Sequence, residues 1–138
     1  MALNNYWLDA NIILRYLTKD NETLSPKAKT IIDNIANYKG FAYINTLVLH
    51  EVIYILENVY NIDRKAILDS ISNLISISNI NIIDVNKQSL KLALKDYTKT
   101  KIDFPDCVYK QVCLENKYKL LSFDKDFKKL GVETYEAI

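Results

Sequence analysis

Apolar positions along this chain recur with two periods. Short apolar runs closed by an acid or a turn residue alternate with stretches in which apolar residues return every three or four positions, the spacings of strands and of helices. Asn5–Leu8 is such a run, ending at Asp9, and Ala10–Leu17 then reads as a helix. Ser25 and Pro26 mark a helix start, with Ser25 as N-cap and Pro26 in the first turn, and apolar Ala28, Ile31, Ile32 and Ile35 follow. Gly40 ends that helix, and Phe41–Ile44 is a strand. Thr46 caps a helix over Leu47–Val59 that is apolar on nearly every face, so deep burial is expected. Asp63 caps another, to Ile77, before a strand over Ile80–Val85. Asn86 opens a helix through Tyr97, and Asp103 or Phe104 opens one to Asn116. Tyr118–Ser122 and Glu133–Tyr135 close the chain as strands, with a short helix near Lys125–Leu130 between them.

Strands alternating with helices predict an α/β fold with a parallel sheet covered on both faces. Ligands in such folds sit beyond the carboxyl ends of the strands. No linker, repeat or biased segment interrupts the 138 residues, so a single domain over 1–138 is expected.

Composition narrows the function. Hydrophobic residues make up 49% and charged residues 25%, which excludes disorder. Two glycines, Gly40 and Gly131, cannot write either GxGxxG or GxxxxGKS, so an ordinary dinucleotide-binding or P-loop enzyme is excluded. No apolar run is long enough to span a membrane, and the first residues lack the basic start of a secretory signal. Cys107 and Cys113 lie six apart in a helical pattern, an axial rise of about 9 Å that is too long for a disulfide. They read as small buried hydrophobes, and a cytoplasmic location is expected.

Acids stand where the chain leaves its strands. Asp9 follows the first, Asp124 follows the strand before SFDKDF, and Asp106 lies in the first turn of a helix, in IDFPDC. Each has a plain structural use as a helix cap or capping-box partner, as have Asp103 and Asp126. Glu51, inside TLVLHEVIYIL, has no such use. Amid Leu47, Val48, Val52, Ile55 and Leu56 it loses hydration and must be protonated, paired or bound to a cation, or else it lies on a narrow solvent-facing stripe with Asn58. Carboxylates that converge repel one another unless something positive sits among them. Oxygen ligands without His or Cys select Mg2+ or Mn2+ over zinc. The one histidine, His50, points about 100° away from Glu51 around the helix.

In order and over nearly the whole length, LDANIILRYL, TLVLHEVIYIL, IDFPDCVYKQV and LLSFDKDFKKLGV resemble the four acidic motifs of PIN-domain nucleases, at a length similar to the stand-alone VapC toxins of toxin–antitoxin systems. The resemblance implies a three-layer α/β/α fold with a central parallel sheet of four or five strands. It implies that Asp9, Glu51, Asp106 and Asp124 form the catalytic Mg2+ or Mn2+ site, supported by Asn11, Asp103, Ser122 and Asp126. It also implies a small antitoxin protein as partner and a homodimer. Pro105 and Cys107 depart from the small residues usual beside the third acid, which bears on substrate fit more than on the metal.

The reaction expected is metal-assisted hydrolysis of an RNA phosphodiester, with Glu51 orienting the attacking water or acting as its base. A single strand cut to a 5′-phosphate and a 3′-hydroxyl is the expected substrate and outcome. Net charge is +1, but residues 1–85 carry −2 and residues 86–138 carry +3, and without the four site acids the chain carries +5. Lys87, Lys91 and Lys95 recur every four residues, with Lys99 and Lys101 beyond, and would hold a phosphate backbone or simply form a solvated helix face. Tyr6, Tyr16 and Tyr109 lie near the motifs and are candidates to stack bases.

Other classes fit less well. A phosphoacceptor receiver wants paired acids after the first strand and a lysine after the last, and a haloacid-dehalogenase-like phosphatase wants DxD where Asp9 is followed by Ala10 and Asn11. A non-catalytic acidic-pocket interaction module, a non-toxin PIN nuclease in RNA processing and a DNA-directed flap-type nuclease remain as alternatives.

Overall fold

The chain passes from strand to helix around Asp9. In the computed structural model, which describes residues 3–135, β1 (Asn5–Trp7) is followed by α1 (Ala10–Thr18). The extended backbone of Asp9, at φ −75° and ψ 153°, lets its carboxylate accept from the amide of Asn11 at 3.4 Å. The two limits read for the domain, 1 and 138, lie outside the described residues. Between Asp84 and Val85 the chain divides into two compact units.

The first unit continues with α2 (Leu24–Ala36), β2 (Phe41–Ile44), α3 (Thr46–Asn58), α4 (Arg64–Ile75) and β3 (Ile80–Ile82). Its three strands pair in parallel in the order β1-β2-β3, with Tyr6 opposite Ala42 and Ala42 opposite Ile80. Ala42 and Ile44 of the central strand are fully buried, as parallel strands covered by helices require. Ile13 of α1, Ile32 of α2, Leu49 and Ile53 of α3 and Ile67 and Ile71 of α4 complete the core.

Three local readings of the sequence change here. Helix α2 starts one residue before Ser25, which is buried; Asn21 receives the amides of Thr23 and Leu24 at 3.0 and 2.7 Å instead. Helix α3 is capped by Asn45, whose side chain accepts from the Val48 amide at 3.1 Å, while Thr46 becomes its first helical residue. The left-handed residue after α2 is Tyr38, at φ 62°, and Gly40 serves packing: a Cβ there would stand 2.7 Å from the Tyr6 ring.

The second unit holds α5 (Lys87–Lys99), α6 (Phe104–Asn116), β4 (Leu120–Leu121), α7 (Asp126–Lys129) and β5 (Thr134–Tyr135). Helices α5 and α6 pack through Leu90, Ala93, Leu94, Tyr97, Phe104, Cys107 and Val108, all buried. The Tyr97 and Phe104 rings meet edge to face, 6.3 Å between centroids. Lys110 of α6 pairs with Asp96 of α5 at 2.9 Å. Cys113 is only half-buried, and its partial burial raises the thiol pKa. Gly131, at φ 79°, carries the turn from α7 into β5, which pairs in parallel with β4.

The α/β class with parallel pairing is as expected, but a single sheet of four or five strands is not what forms. The described residues make a three-stranded sheet in the first unit and a two-stranded one in the second. Strands β4 and β5 are two residues long, which leaves little ladder to extend a sheet. Among the described residues, no helix is long and apolar enough to cross a membrane.

Candidate metal centre

The segment Ser122-Phe123-Asp124-Lys125-Asp126 is folded by its own side chains. The Ser122 hydroxyl accepts from the amide of Asp124 at 3.0 Å, and the Asp124 carboxylate accepts from the amide of Asp126 at 2.8 Å. Short polar side chains that take amides two residues ahead hold a turn without regular structure. The spacing S-x-D-x-D is therefore a conformational device, and it fixes where both carboxylates stand.

Asp106 reaches the same place from another element. It lies in the first turn of α6, where Pro105 occupies an early position and the helix N-terminus favours negative charge. Each of Asp106, Asp124 and Asp126 offers a carboxylate oxygen within 4.8 Å of those of the other two. The Asp106 pKa is raised, first by partial burial and then by the charges of Asp124, Asp103 and Asp126. Asp103 stands at the N-cap of α6, and its charge is one of those that raise the Asp106 pKa. Lys129 approaches Asp126 at 3.5 Å, an exposed pair that offsets little of this repulsion.

The donor set suits a hard divalent ion. Three oxygen-only side chains at mutual reach, two of them half-buried and one, Asp106, pushed toward protonation, match Mg2+ or Mn2+ chemistry. All three residues belong to the second unit.

The remaining residues named from the sequence lie in the first unit or on α5, except Lys101, which follows α5, and Tyr109, which is on α6. Asp9 is exposed and caps α1; Asn11 is exposed and gives Asp9 its backbone amide. Glu51 is exposed, so of its two readings the solvent-facing stripe with Asn58 holds, and the burial expected on nearly every face of its helix does not. Helix α3 sinks Val48, Leu49, Val52, Ile53 and Leu56 and leaves Leu47, Glu51, Tyr54 and Asn58 as one solvent-facing stripe, Leu47 at 73% and Tyr54 at 58% exposure. Thirteen residues of helix have room for both a full apolar face and an outer stripe, so a count of apolar residues overstated the burial. His50 is half-buried, its ring edge-on to Tyr54 at 6.2 Å.

Lys91, Lys95, Lys99 and Lys101 are exposed, and Lys87 is half-buried. Burial, and then the charge of Lys91, lowers the Lys87 pKa, so these two ammonium groups share a face of α5. Tyr6 and Tyr109 are exposed and Tyr16 is half-buried.

One acid escaped the sequence reading. Asp84 follows β3, a strand exit like those of Asp9 and Asp124, but the apolar run Ile80–Val85 absorbed it into a strand. Its carboxylate takes the Thr46 hydroxyl at 2.6 Å and the Thr46 amide at 3.1 Å, binding the start of α3. The available signal was an acid inside an otherwise apolar run.

A comparison with curated proteins finds no match. A family model described as PIN domain matches residues 6–133, crossing both units and including every acid discussed above. The chain belongs to the PIN domain family.

Proposed function

We propose that this protein is a metal-dependent endoribonuclease and the toxin of a VapBC-type toxin–antitoxin pair. PIN domains are in general Mg2+-dependent nucleases, and the observation that carries the reading here is the convergence of the Asp106, Asp124 and Asp126 carboxylates. A divalent ion held by these side chains supplies Lewis-acid stabilisation of charge on a phosphoryl group and makes water more acidic.

The chain's own residues do the rest. Ser122 and the backbone turn it accepts from hold Asp124 and Asp126 in place, and the first turn of α6 holds Asp106. Asp103 adds negative charge that strengthens the demand for a cation. Asp9 and Glu51 are required for the same reaction, Glu51 as the group that orients or deprotonates the attacking water, and Asn11 supports Asp9. Lys91, Lys95, Lys99 and Lys101 hold the RNA backbone through charge. The protein acts as one domain in the cytoplasm, as a homodimer, and is restrained by a small antitoxin protein.

Labelled total RNA is the test, incubated with wild type, Asp9→Asn and Asp124→Asn, each with Mg2+, Mn2+ or EDTA. Metal-dependent cuts in wild type that both variants lose, with 5′-phosphate and 3′-hydroxyl ends, are expected. Cuts that survive EDTA or either substitution would overturn the metal-dependent reading.

A further inference from the structure

Phe123 is the most exposed large hydrophobic side chain among the described residues, at 86%. Scattered exposed apolar residues are ordinary on protein surfaces and need no explanation. This one differs in where it stands and in how it is held. The amide on its C-terminal side, that of Asp124, is tied to the Ser122 hydroxyl at 3.0 Å, and Asp124 is tied in turn to the Asp126 amide at 2.8 Å. The ring is thus mounted on a turn fixed on both sides. It is next in sequence to Asp124, one of the three converging acids.

Beside the acids lies a cleft of about 440 Å3 lined by Thr100, Lys101, Ile102, Asp126 and Lys129. Its two lysines outweigh its one acid, Asp126, which pairs with Lys129 at 3.5 Å and belongs to both cleft and acidic cluster, so the cleft keeps a net positive charge for a phosphate group. Acids for a cation, lysines for a phosphate and an open aromatic ring for a base are the three partners that a nucleotide asks for. A base paired and stacked in a duplex has no free face for such a ring, whereas an unpaired base does.

We propose that Phe123 is a positioning residue that stacks an unpaired base of a single-stranded nucleic acid, beside the phosphate that Lys101 and Lys129 take. The assignment rests on the nuclease reading for its substrate class. Stacking holds the strand beside the acids and selects single strands over duplexes.

Two measurements on the full chain keep this separable from the nuclease reading. In the first, Phe123→Trp is made in a Trp7→Tyr background, so that the introduced indole is the sole tryptophan, and fluorescence is followed with single-stranded RNA, the same strand with base-free sugars, duplex RNA and inorganic phosphate. Quenching by the intact single strand alone is expected. In the second, kcat/KM and KM for single-stranded RNA are compared for wild type, Phe123→Ala and Phe123→Trp. Phe123→Ala is expected to raise KM about tenfold, equivalent to about 1.4 kcal/mol, with kcat little changed and Phe123→Trp close to wild type. Cleavage by wild type without quenching, and with Phe123→Ala unchanged, overturns the stacking role and leaves the nuclease. Quenching without cleavage retains the stacking role and overturns the nuclease. Sedimentation that changes with Phe123→Ala while KM does not would make the ring a protein contact and overturn the proposal, as would equal quenching by base-free strands.

Discussion

Thr46 gives both its hydroxyl and its backbone amide to the carboxylate of Asp84, at 2.6 and 3.1 Å. The contact joins residues 38 apart, at the end of the third parallel strand and at the first residue of the helix that carries Glu51. Asn45 satisfies the Val48 amide, so two side chains share the orphan donors of one helix start.

Removing one of them is expected to be felt. Asp84→Ala should destabilise the protein by about 1 kcal/mol, the usual cost of a lost cap, and Asp84→Asn by less. Urea unfolding checks this; equal stability of Asp84→Ala and wild type would show the contact to be incidental.

Asp20 is held well below the usual carboxylate range. Hydrogen bonds from Tyr60 at 2.6 Å and Thr18 at 2.8 Å, with Arg15 beyond, lower its pKa from 3.8 to about 2. A depressed carboxyl stabilises the fold above its unfolded pKa and loses that contribution as pH falls through the folded value. Loss is therefore expected between pH 3.8 and about 2. Tyr60→Phe should raise the Asp20 pKa in an NMR titration, and an unchanged titration would remove Tyr60 as the cause.

Asp106 runs the other way. Its pKa is raised by burial and by its acidic neighbours, so its ionisation costs stability, and that cost grows as pH rises through the folded value. Asp106→Asn should then be no less stable than wild type in EDTA. Mn2+ at a hundredfold excess over its Kd should stabilise wild type by about 2.7 kcal/mol and Asp106→Asn by much less, and this gain should fade as the solution is acidified. Differential scanning calorimetry with and without the metal reads all three.

Glu51 and Asp9 separate function from folding. Glu51 is exposed, so Glu51→Gln should change stability by no more than about 0.5 kcal/mol while abolishing RNA cleavage. Asp9 is a helix cap, so Asp9→Ala should cost about 1 kcal/mol, whereas Asp9→Asn keeps a capping side chain and removes the charge. Cleavage lost in Asp9→Asn with stability intact would assign the loss to charge.

Much of this protein was legible in its sequence because the controlling physics is local. Apolar spacing located each helix and strand to within a few residues, and Asp9, Asp63 and Asn86 cap the helices read from them. The sign change of charge falls where the chain divides, between Asp84 and Val85, with the acidic excess before it and the basic excess after it. The S-x-D-x-D spacing carries its own turn, since each side chain reaches an amide only two residues on. What needed the tertiary structure depends on partners distant in sequence. Asp106 meets Asp124 and Asp126 only because α6 and the loop after β4 are brought together. Asp84 finds Thr46 across 38 residues. The choice between burial and an outer stripe for Glu51, and the place of Leu47 and Tyr54 on that stripe, needed the structure because burial depends on what packs against a helix, and composition records only what could be buried.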